Sequence, residues 1–107
     1  MHYLFEVIAK PGYHIDQYAR AWVAASELIQ KAPGARGTRL HRKIGDDRSA
    51  LAIATWESKT ARDASSASLP EQVQEIIESQ APFVDIHFIG EFENPEWEVL
   101  PPDYEVR

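Results

Sequence analysis

The sequence predicts an α+β domain of the ferredoxin-like class, ordered β-α-β-β-α-β around a four-stranded antiparallel sheet. Three observations carry this reading. The stretch from Pro33 to Ser58 reads as a β-hairpin, extended to Ile44, turning at Gly45-Asp46-Asp47-Arg48 and returning through Leu51-Ala52-Ile53-Ala54 to Trp56. A period-two run followed by a 3.6-period run precedes it. A helical stretch followed by an alternating run comes after it. That order is the split βαβ motif, with strands one and three central, strands two and four at the edges, and helices on one face only.

His2 to Ala9 is the first strand. Tyr3, Phe5 and Val7 fall on one face, and Leu4, Glu6 and Ile8 on the other. Both faces are mostly apolar, so something besides the helices is expected to cover the second. Lys10-Pro11-Gly12 breaks the strand. The spacing of Ile15, Tyr18, Trp22, Ala25, Ile29 and Ala32 predicts a helix from His14 to Ala32. Asp16 in its first turn and Lys31 in its last would suit the helix dipole. Pro33-Gly34 ends it.

In the second strand Thr38, Leu40 and Ile44 oppose Arg39, His41 and Lys43. The third, Leu51 to Trp56, is apolar on both faces, as a central strand should be. Ser58 or Thr60 caps the next helix. Pro70 forbids its continuation, and Ser68-Leu69-Pro70-Glu71 matches a capping box for a second helical piece. Val73, Ile76, Ile77 and Gln80 form the inner face of that piece. Phe83 to Phe92 is the fourth strand, with Val84, Ile86, Phe88 and Phe92 on one face and Asp85, His87 and Glu91 on the other. Residues 1–93 make the domain. The tail, 94–107, holds Trp97, Val99, Leu100, Tyr104 and Val106, and is expected to dock on its own domain or on a partner.

A length of 107 residues suits one domain. A net charge of −6 with no basic stripe argues against a nucleic-acid partner. No apolar run approaches the roughly 18 residues of a membrane span, and no secretory signal opens the chain. With no cysteine there are no disulfides or thiolate metal sites, which fits a cytoplasmic setting.

The first strand ending in Lys10-Pro11-Gly12, the helix with Trp22, the passage Pro33-Gly34-Ala35-Arg36-Gly37 and the strand ending Trp56-Glu57-Ser58 resemble the antibiotic biosynthesis monooxygenase superfamily. The resemblance covers residues 3–64, with the fourth strand extending it loosely. It implies a homodimeric α+β barrel, two sheets packed face to face, which would bury the uncovered face of strand one. It also implies a cofactor-independent monooxygenase of a small aromatic substrate, a quinol or polyketide-like molecule. The alternatives on the same fold are a non-catalytic small-molecule binder or structural dimer, and an isomerase. Where haem-degrading members carry Asn, Trp and His, an ungapped count finds Phe5, Ser65 and Glu75. No Gly-rich phosphate loop is present either, so neither haem nor flavin is expected.

Two groups of residues are candidates for chemistry. Asp85 and His87 lie two apart on one strand face, and Glu6 on the adjacent strand can share it. A carboxylate beside His raises its pKa and suits it to proton transfer. The simpler reading is hydrogen-bonded polar residues that set register between sheets. The second group is Tyr3, Phe5, Tyr18 and Trp22, whose rings should converge between helix and sheet. They form either an ordinary aromatic core or an apolar pocket for a flat substrate. In the resemblance-based reading His87 and Tyr18 are the catalytic candidates, as base or orienter, and Phe5, Tyr3 and Trp22 bind substrate. Arg39 and His41 read as edge-strand charges, and Trp56 as core. The four histidines lack zinc spacing, and no metal is expected.

Overall fold

The computed structural model describes residues 1–102. Its elements are β1 (His2–Ala9), α1 (Ile15–Ile29), β2 (Ala35–Arg42), β3 (Ser49–Trp56), α2 (Lys59–Ala67), α3 (Glu71–Gln80) and β4 (Val84–Phe92). The sheet order is β2-β3-β1-β4, and each pairing is antiparallel. The architecture is therefore the α+β, ferredoxin-like arrangement expected from the hydrophobic pattern, with β1 and β3 central.

The helices lie over the face of β1 that carries Phe5, Val7 and Ala9. Val7 pairs with Ala50 and Ala9 with Val84, and Ile15 of α1 joins Val7, Ala50 and Val84 in a small buried core. That core occupies one end of the helix–sheet layer. Toward the other end the floor is Ala52 and Ala54, paired with Phe5 and Tyr3. Ala54 borders the space beneath α1, which a larger side chain would fill. The opposite face of the sheet bears Leu4, Glu6, Ile8, Leu51 and Ile53.

Gly34 joins α1 to β2 with φ +86°, and a Cβ added there would lie 2.6 Å from the Cβ of Ala61 in α2. Only glycine accepts both the left-handed backbone and that approach. The Ser58 hydroxyl caps α2, accepting the Ala61 N–H at 3.1 Å.

Several boundaries differ from expectation. α1 stops at Ile29 rather than Ala32, because Lys31 and Ala32 donate to the carbonyls of Leu28 and Ile29 in a tighter turn. Lys31 therefore lies beyond the helix. β2 stops at Arg42, and Ile44 is 99% exposed in the loop. The Asp46 carboxylate closes that loop, accepting from the Arg48 N–H at 3.0 Å and the Ser49 hydroxyl at 2.8 Å. Both bonds hold its pKa below the ordinary carboxylate value, the Arg48 N–H most strongly.

The helical break at Pro70 is present, but Ser68 is not its cap. The Ser68 hydroxyl donates back to the Ala64 carbonyl at 3.0 Å, and Pro70 directly precedes α3. In β4 the expected alternation fails after Phe88. Phe5 pairs with Phe88 but Leu4 pairs with Gly90, so Ile89 is an extra residue. The bulge sends Glu91 to the helix side, opposite Tyr3, and Phe92 to the other face, opposite His2. In the tail, Trp97 is 85% and Val99 97% exposed in the single chain. Tyr104 and Val106 lie outside the described residues.

Candidate functional site

A cleft of about 420 Å³ opens between α1, the α2–α3 segment and the sheet. That lies within the about 300–1,000 Å³ usual for small-molecule sites. Tyr3 and Phe5 rise from β1, and Tyr18 and Trp22 descend from successive turns of α1. Their spacing of four on a helix and two on a strand puts each pair on one face. The cleft exists because small residues surround these rings: Ala21 and Ala25 on α1, Ala54 on β3, Ser65 and Ser66 on α2. Trp56 is 6% exposed at its edge, a core residue as expected.

The rings are in mutual contact on the sheet side. Tyr3 lies 6.1 Å from Phe5, edge to face, and 4.9 Å from Phe88. The guanidinium carbon of Arg62, on α2, sits 4.1 Å from the centroid of the Tyr3 ring. Such a cation–π contact contributes about 0.5–1 kcal/mol at exposed sites and more where water is excluded.

Burial pushes the Tyr18 hydroxyl up to about 12. It stays protonated near neutral pH, with its O–H available as a hydrogen-bond donor. Gln80, at the end of α3, also lines the cleft, and its buried side-chain oxygen has no hydrogen-bond partner among the described residues. It is an acceptor suited to a ligand hydroxyl.

The structure brings Tyr3, Phe5, Tyr18 and Trp22 together and keeps His87 apart from them. His87 is exposed on the face away from the helices, directly opposite Glu6. Asp85 shares that face and makes a long ion pair with Lys10 at 4.0 Å. The expected Glu6–Asp85–His87 grouping on one face is thus present, on the wrong side of the sheet to reach the cleft. No His, Asp or Glu lines the cleft among the described residues. Of the residues at the haem-branch positions, Phe5 and Ser65 line it and Glu75 does not. No group of three or more metal-binding side chains is found among the described residues.

Arg62 was missed by the sequence reading, although a signal existed. Arg62, Ser65 and Ser66 are spaced i, i+3 and i+4, one stripe of α2, and all three line the cleft. The stripe is polar, so an apolar search passes over it.

No protein-family model matches the chain, and no curated protein matches it. Solved structures do. SnoaB of Streptomyces nogalater, a cofactor-independent oxygenase, superposes with a TM-score of 0.68 over 90% of this chain and 96% of that one, at 11% identity. A candidate antibiotic biosynthesis monooxygenase from Chloroflexus aurantiacus gives 0.64 over 88% and 95%, at 20% identity. Another candidate of that kind, from Nitrosomonas europaea, gives 0.66 over 82% and 86%, at 11% identity. The chain shares its fold with the antibiotic biosynthesis monooxygenase proteins.

Proposed function

We propose that the chain binds a small, flat aromatic molecule in the helix–sheet cleft and oxygenates it without a cofactor. The observation that carries this is the cleft itself, with Tyr3, Phe5, Tyr18 and Trp22 presenting ring surface around a volume of about 420 Å³. The fold shared with SnoaB, a cofactor-independent oxygenase, supports the reaction class.

The reaction that fits is oxygenation of a phenol or enol to a quinone. The substrate loses its hydroxyl proton and becomes electron-rich. Dioxygen then attacks the activated ring carbon. One oxygen atom ends in the new carbonyl, and the other leaves as water with the hydroxyl hydrogen and the displaced ring hydrogen. The substrate supplies all four electrons. Tyr18 donates a hydrogen bond that orients the substrate, and Gln80 accepts one. The rings exclude water from the anion.

The protein acts as a homodimer, its two sheets face to face over Leu4, Ile8, Leu51 and Ile53. This rests on the absence of any helix over that face among the described residues. The cysteine-free composition suits the cytoplasm. No helix among the described residues is long and apolar enough to cross a membrane.

Anthrone tests the reaction. Oxygen uptake above the buffer rate, with one atom of ¹⁸O from labelled dioxygen in the anthraquinone product, is the expected result. Binding without turnover would favour a second reading, a non-catalytic binder of aromatics. That reading is favoured by the absence of His, Asp and Glu from the cleft lining among the described residues.

A further inference from the structure

Arg62 is the one charged side chain in the cleft lining among the described residues. Its neighbours leave its charge largely unmatched. Lys59, one turn earlier on α2, takes Asp63 at 3.2 Å and Glu91 at 3.1 Å. Arg62 meets Asp63 only at 3.6 Å, and no hydrogen bond takes one of its side-chain N–H groups among the described residues. The β4 bulge matters here. By turning Glu91 to the helix side it gives Lys59 a second carboxylate, while Arg62 has only the longer contact with Asp63.

Arg62 is also held in place. Its guanidinium stacks on the Tyr3 ring, and its side chain is only 24% exposed. A stacked guanidinium keeps its planar fork of N–H donors oriented and free for an acceptor. A partly buried charge whose N–H groups make no hydrogen bond among the described residues is available to an incoming anion through charge-assisted hydrogen bonds.

We propose that Arg62 determines specificity in this cleft, selecting flat aromatics whose hydroxyl ionises, such as hydroxyquinones and enolised diketones, and binding them as anions. The inference rests on the aromatic-binding reading and names its substrate class. No carboxylate or imidazole lines the cleft among the described residues, so deprotonation falls to the substrate's own acidity. Arg62 favours the ionised form, and the released proton goes to water.

The test is a pair of probes differing in one acidic hydroxyl, 2-hydroxy-1,4-naphthoquinone, ionised at neutral pH, and 1,4-naphthoquinone, which is neutral. The chain has no cysteine for either to alkylate. Affinities are read by quenching of intrinsic fluorescence at low salt. A charge-assisted hydrogen bond should make the wild type prefer the hydroxyquinone by about tenfold. Arg62→Met should bring the ratio near one, and Arg62→Lys should leave it between the two. Thermal melting checks that each variant is folded, and Arg62→Gln substitutes for Arg62→Met if that variant is not.

Preference retained in the Met or Gln variant overturns the assignment to Arg62 while leaving aromatic binding in place. Equal binding of both probes by the wild type does the same. Binding of neither probe overturns both the inference and the reading beneath it.

Discussion

Glu6 stands directly opposite His87 across the β1–β4 pairing, on the face of the sheet that carries no helix. Tyr18 and Trp22 line the cleft on the other face. The sheet therefore separates the imidazole from the aromatic cleft, and His87 has no path to a molecule bound there within one chain. Replacing His87 with Ala should leave the affinity for 1,4-naphthoquinone within about twofold, a change below 0.5 kcal/mol. A tenfold loss in the same fluorescence titration would place the ligand on the opposite face.

That opposite face makes a second prediction. Leu4, Ile8, Leu51 and Ile53 form an apolar strip along the two central strands, and Phe92, turned to this side by the bulge, is 51% exposed. An obligate interface typically buries more than about 2,000 Å². Light scattering at low micromolar concentration should give twice the 12.1 kDa chain mass. Leu4→Asp puts a charge opposite Ile53 and Gly90, with no cross-strand pairing to Glu6, and should shift the mass toward one chain. A wild type that scatters as a stable monomer would remove the face-to-face pairing.

Tyr18 makes a third. Its hydroxyl is raised to about 12 from an ordinary value of 10.0 by burial. The folded-state value lies above the unfolded one. The contribution to stability is therefore fully present below pH 10 and is lost as pH rises toward 12. A spectrophotometric titration should show tyrosinate absorbance at the alkaline end that is missing in Tyr18→Phe. Tyr18 ionising at its ordinary value would mean that water reaches the hydroxyl and the cleft is not dry.

The element order was legible because it rests on strong local signals. Alternation in β1 and β3, the i, i+3, i+4 stripe of α1 and the Pro70 break each follow from the residues themselves. Convergence of Tyr3, Phe5, Tyr18 and Trp22 was legible for the same reason, since each lies on a strand or helix face of fixed period. What local pattern did not reveal depends on partners distant in sequence. The bulge at Ile89 appears only when β4 is laid against β1, and it alone decides which faces Glu91 and Phe92 occupy. Ser68 matched a capping box, yet its hydroxyl found the Ala64 carbonyl one turn back. Ile44 looked like a strand residue because apolar pattern outweighed the loop chemistry of Asp46, visible only once its carboxylate is bonded. Arg62 was overlooked because a charge on a helix is usually solvated, and only the Tyr3 ring and the cleft give it another role.

Gly34 supplies a fourth prediction, which tests the packing that frames the cleft. Its φ of +86° costs a side-chain-bearing residue about 1–2 kcal/mol. The 2.6 Å approach to the Ala61 Cβ adds a steric term by pushing α2 away from the sheet. Gly34→Ala should lower stability to urea by at least about 1 kcal/mol. Ala61→Gly in the same chain should recover only the steric part. No loss in Gly34→Ala would mean that α2 is free to move, and that the cleft wall holding Arg62 and Ser65 is not built as described.

The central claim is that the ligand lies between helix and sheet. A crystal structure of the protein with 2-hydroxy-1,4-naphthoquinone tests it most directly. The account predicts the ring system among Tyr3, Phe5, Tyr18 and Trp22, with the ionised oxygen at the Arg62 guanidinium. The naphthoquinone seated on the opposite face beside Glu6 and His87, with the helix–sheet cleft empty, would contradict it.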